Sequence, residues 1–171
     1  MPDSLRINIT KGRDGPSVLS CTRPDGSSTW SRVGDYFPTH DMAHFVVETE
    51  LRIPHAFYSL VLDGWGIDDF TVKGAARSLP PQANLVEALV GRLQRDLMPG
   101  SDFTAESFNE ETEAVLEGIG NPERRPITDE ELSRMRRRLR ELLSGWAALA
   151  PGESLELEFR RISPAGDVIH R

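Results

Sequence analysis

The chain has 171 residues, 27% of them charged and 38% hydrophobic, with a formal net charge of -7. That balance predicts a soluble globular fold rather than a disordered or membrane-spanning chain, and the negative charge disfavours nucleic acid and anionic membranes as partners. A single cysteine, Cys21, allows no internal disulfide, and neither an apolar run of about 18 residues nor a basic, apolar leader is visible, so the expected location is a reducing cytoplasm.

Leu5, Ile7 and Ile9 alternate with Arg6, Asn8 and Thr10, the period of a strand with one buried face. Turn formers from Lys11 to Pro16 separate it from a second strand over 17–22, and Arg23-Pro24-Asp25-Gly26 signals a tight turn before a third over 29–33. Thr39 is the expected N-cap of a helix starting at His40, with Met42, Ala43, Val46, Val47 and Ile53 on an apolar side and a polar side opposite, broken by Pro54. A short helix over 55–62 then ends at Gly64, 65–70 reads as a loop, and 72–83 reads as a surface connection. Leu85, Val86, Leu89, Val90, Leu93 and Leu97 form the stripe of a helix ending before Pro99. Another helix follows Thr104 over 105–118, and Thr128 with Glu131 is a capping box opening a third whose stripe runs from Leu132 to Trp146. Leu155, Leu157 and Phe159 alternate with charged residues as a last strand, and Pro164 to Asp167 reads as a turn that opens a small hairpin.

Strands, then helices, then a strand predict one α+β domain over 1–171. It comprises a meander (5–33), a helical part (39–147) and a closing strand (153–163), with an antiparallel sheet of about four strands against four to five helices.

The chemistry concentrates on the first long helix. His40, His44 and Glu48 recur every four residues, so on a helix they form a narrow ribbon with Asp41 at its edge. Two imidazoles one turn apart can share one Zn²⁺ or similar divalent ion, although two buried, hydrogen-bonded histidines make the same ribbon without a metal. Asp41 stands where a zincin carries its glutamate, so Asp41 or Glu48 is the expected proton acceptor. The i to i+8 span of about 12 Å keeps Glu48 from joining both histidines on one ion. Asp63 or Asp68 is therefore the expected third ligand, and Trp65, between two glycines, an expected pocket wall. His55 and His170 have no partner at useful spacing and read as surface residues. The arginines between Arg134 and Arg140 scatter around their helix among glutamates, which reads as a solvated, ion-paired face. No phosphate loop, dinucleotide fingerprint or nucleophile elbow is present.

The run from Trp30 through His40-Asp41-Met42-Ala43-His44 and Val47-Glu48 to Gly64-Trp65 resembles a family of small bacterial proteins with an H-D-hydrophobic-x-H-x-x-V-E helix followed by a Gly-Trp pair. The resemblance covers about a quarter of the chain and implies that the ribbon matters, without implying a reaction. Two functions follow as expectations. One is a protein that binds a small molecule or a protein partner through the ribbon, with His40, His44 and Trp65 as contacts. The other is a metal-dependent hydrolase in which His40 and His44 hold the ion.

Overall fold

The computed structural model describes residues 4–72 and 79–161. The strands β1 (Ser4–Thr10), β2 (Ser17–Thr22), β3 (Ser28–Val33) and β4 (Ser154–Arg160) form one antiparallel sheet in the order β3-β2-β1-β4. This is the α+β arrangement that the alternating segments predict, with the late strand paired along the whole of β1, from Ser4 opposite Arg160 to Thr10 opposite Ser154. The period of two turns Leu5, Ile7, Ile9, Leu19, Cys21 and Phe159 to one buried face and leaves Arg6, Trp30 and Glu158 on the other. Gly26 takes a left-handed φ of 84° in the β2–β3 turn, where Asp25 Oδ1 accepts the Ser27 amide at 2.8 Å.

Helix α1 (Phe37–Leu51) packs against the helices α3 (Pro81–Asp96) and α5 (Asp129–Ala148), and it shares one apolar core with the inner face of the sheet. It starts three residues before the expected His40 because Pro38 fits a first helical turn, so Thr39 lies inside the helix and does not cap it. The expected division into apolar and polar sides also needs correction. Asp41, His44 and Glu48 are buried nearly as fully as Met42, Val46 and Val47, because neighbours cover most of the circumference of α1.

Arg52 and His55 both adopt left-handed φ, at 52° and 58°, and turn the chain into α2 (Phe57–Leu62). A 3₁₀ turn over Ile67–Phe70 replaces the expected loop and lies beside β3. Helix α3 begins at Pro81, so the last residues of the expected connection are helical. The remainder of that connection, 73–78, and the expected hairpin after residue 163 lie outside the described residues, as does His170.

Helices α4 (Ala105–Gly118) and α5 start at the threonines read from the sequence. At α5 the Thr128 hydroxyl accepts the Glu131 amide at 3.2 Å, and Glu131 Oε2 accepts the Thr128 amide at 3.0 Å. The arginine face is only partly a solvated one. Arg134 pairs with Glu130 at 2.9 Å as expected, whereas Arg136 reaches across to the buried Asp96 at 2.5 and 2.6 Å and donates to the Phe103 carbonyl. No helix among the described residues is long and apolar enough to cross a membrane.

Candidate functional site

His40 and His44 follow one another on α1 with ring centroids 4.6 Å apart, and both turn Nε2 toward one residue of α3. That residue is Glu87. His40 Nε2 lies 3.5 Å from its Oε2 and His44 Nε2 lies 3.1 Å from its Oε1. The opposite nitrogens face carboxylates of α1 itself, His44 Nδ1 at 3.4 Å from Glu48 and His40 Nδ1 at 3.8 Å from Asp41.

Glu48 is fully buried and is held by the next turn of chain. The Tyr58 amide donates to its two oxygens at 3.2 and 3.0 Å, and the Tyr58 hydroxyl donates to the Asp41 carbonyl at 3.0 Å. The left-handed Arg52 and His55 permit this return, because they fold the start of α2 back onto the flank of α1. Burial raises the Glu48 carboxyl above its ordinary range, against the lowering influence of His44.

Burial opposes the charged form of His44, but Glu48 and Glu87 outweigh it and lift the imidazole to about 10. His40 is raised too, its burial being offset by Asp41 and Glu87. Glu87 is lowered despite its own partial burial, because both imidazoles lie against its carboxylate. Even so, among the described residues neither buried nitrogen of His44 is aligned for a hydrogen bond, and Asp41 Oδ2 is buried without a partner. The carboxylates flank the rings without closing on them.

A cavity of about 200 Å³ opens beside these groups. Its floor is His40, Asp41 and His44, Glu87 stands half-exposed at its mouth, and its walls come from β2, β3, α2 and the 3₁₀ turn. The ligand atoms of His40, His44 and Glu87 lie within 4.8 Å of one another. Atoms held about 2.1 Å from one tetrahedral ion are roughly 3.4 Å apart; the separations of 3.5 and 3.1 Å, each to a different oxygen of Glu87, lie near that value, and a shared ion would draw the remaining atoms of the set together.

The other expected site residues are placed elsewhere. Asp63 bonds to Arg161, Asp68 is exposed and caps Thr71 through its carbonyl, and neither reaches the cluster. Glu48 touches His44 but does not line the cavity. Trp65 stacks behind Phe70 at 5.5 Å, one layer outside the wall, with its carbonyl bound by Arg23. His55 is exposed, as read. Glu87 is the residue that the sequence reading missed. Its signal is an acid inside the apolar run Leu85-Val86-Glu87-Ala88-Leu89-Val90, where a carboxylate needs a partner. Comparison of the chain with protein-family models, with curated proteins and with solved structures gives no match.

Proposed function

We propose that the protein binds a divalent metal ion through His40 Nε2, His44 Nε2 and the Glu87 carboxylate, and uses it to hydrolyse a small ligand held in the adjoining cavity. The observation that carries this reading is the convergence of both Nε2 atoms on Glu87 while both Nδ1 atoms face carboxylates. Metal-bound histidines characteristically give their second nitrogen to a carboxylate, which fixes the tautomer and aims the ring. Three protein ligands beside a cavity also leave a coordination position free for water, as catalytic rather than structural zinc sites do. Such an ion supplies a water acidic enough to attack near neutrality. Asp41, adjacent to His40 with its buried Oδ2 unpartnered, is the group available to take that water's proton. The resemblance of the His40 to Glu48 segment to small bacterial proteins belongs to the same proposal.

Metal analysis of protein purified without a histidine tag tests it. One ion per chain is expected, lost in both His44→Ala and Glu87→Ala. Failure to bind Zn²⁺, Mn²⁺ or Fe²⁺ after incubation would overturn it.

The second reading is a metal-free binding site, and the lifted His44 favours it, because a protonated imidazole between Glu48 and Glu87 is a self-sufficient ion cluster. The same measurement separates the two: a metal-free protein whose His44→Ala variant loses a ligand would place the cluster at the floor of a simple binding pocket.

A further inference from the structure

The walls of the cavity restrict what can enter it. Leu19 and Val33 of the sheet, Phe37 of α1, Phe57 of α2, and Ile67 and Phe70 of the 3₁₀ turn enclose about 200 Å³. A dry cavity of about 150 Å³ lined by aliphatic and aromatic groups holds a benzene ring, so this space takes one ring, or a branched acyl group, with a head of a few atoms. It falls short of the roughly 300 Å³ at which pockets for larger, drug-sized ligands begin.

Among the described residues, polarity in the walls is limited to the Ser31 and Thr71 hydroxyls. Arg32 borders the space, but it alternates with the inward Ser31 and Val33 onto the exposed face of β3. Among the described residues, then, no cationic side chain faces inward to pair with a phosphate or a second carboxylate. The floor acts in the same direction. The Glu87, Asp41 and Glu48 carboxyls around the two imidazoles offset the charge of a divalent ion, which leaves the centre little positive field to hold an anionic head.

We infer, resting on the metal centre proposed above, that the substrate is a neutral ester or amide of an aryl or short branched acyl group. Its ring lies among Phe37, Phe57 and Phe70 and its carbonyl faces His40, His44 and Glu87. In the reaction the water oxygen bonds to the carbonyl carbon. Its proton passes to Asp41 Oδ2 and then to the leaving alcohol or amine as the C–O or C–N bond breaks, which releases the free acid. That acid ionises, and among the described residues no inward cation of the walls holds it back.

The test uses the full chain loaded with Zn²⁺ and calorimetric titration of three probes. Benzohydroxamic acid has the ring and a metal-seeking head, acetohydroxamic acid has the head alone, and phenyl phosphate has the ring with a dianionic head. The expected result is that benzohydroxamic acid binds at least about tenfold more tightly than the other two, a difference of about 1.4 kcal/mol. Phe70→Leu should narrow the ratio between the hydroxamates. Should that variant fail to fold, Phe37→Ala at a half-exposed position makes the same comparison. Equal affinity for the two hydroxamates, or tighter binding of phenyl phosphate, would overturn the inference. Zinc uptake is measured separately on the same sample, so absence of uptake overturns the metal centre and this inference together, whereas uptake without ring preference overturns this inference alone.

Discussion

Glu87 and Glu48 both touch His44, yet they do different work, and substitution separates them. Glu48→Gln keeps an acceptor for the Tyr58 amide but removes the charge behind His44 Nδ1, so zinc affinity should fall about 10–100-fold with the fold intact. Glu87→Gln removes a proposed ligand and should cost more than that by the same titration. Asp41→Asn should weaken zinc binding by no more than Glu48→Gln does, because Asp41 stands farther from its imidazole, while at saturating zinc hydrolysis of an aryl ester falls about 10²–10⁴-fold, and an unchanged rate would remove Asp41 from the chemistry. Cys21 carries a different expectation. Burial, helped by Asp41, pushes its thiol from 9.0 up to about 12, so it should resist thiol reagents at pH 8 until the protein unfolds. Because the folded value lies above the unfolded one, the stability linked to Cys21 is fully present below pH 9.0 and is lost as pH rises toward about 12. Tyr58, whose hydroxyl burial raises well above 10.0, adds to the same alkaline loss. Urea midpoints between pH 10 and pH 11, above the range where the lifted His44 loses its proton, check both, and a flat profile there would contradict them.

At the scale of the element, the spacing on α1 revealed His40, Asp41 and His44 because those residues share one helix face, where geometry follows from sequence separation alone. Glu87 belongs to another helix, and which residue of α3 meets His44 depends on how the two helices are offset, a tertiary quantity. Asp63 was a reasonable third ligand from loop proximity, but Arg161 after β4 takes its carboxylate, a pairing that depends on the closure of the sheet. Strands and helix caps were readable because period and capping are local. The start of α1 was not, since Thr39 offers a plausible cap and only packing shows that the helix begins at Phe37. The Arg136 pairing was hidden for the same reason. Asp96 is buried, so Arg136→Ala leaves its carboxylate without the guanidinium and only partly reached by water, and a loss of about 1–3 kcal/mol in urea unfolding is expected. Arg137→Ala, at an exposed position on the same helix, is the control and should change stability by less than about 0.5 kcal/mol.

For the whole molecule, β1 is central although it comes first in the chain, because β4 arrives last and covers its free side. Ending the chain at Pro151 would expose the backbone edge of β1 and remove Phe159 from the core, so the truncated chain should lose cooperative thermal unfolding by circular dichroism. The pairing of Ser4 with Arg160 has another consequence, for the order in which the polypeptide is written. These residues are cross-strand neighbours, so a turn of roughly two to four residues could connect Arg161 to Ser4 as an ordinary hairpin. New ends can be opened in the exposed turn at Asp25-Gly26, away from the cavity. Such a circular permutant should fold, and its zinc uptake should equal the parent's, since it keeps α1 and α3 continuous. In that molecule the meander would no longer be a chain-local unit, and its folding rate against the parent's would measure how far the early strands must find one another before the helices can dock.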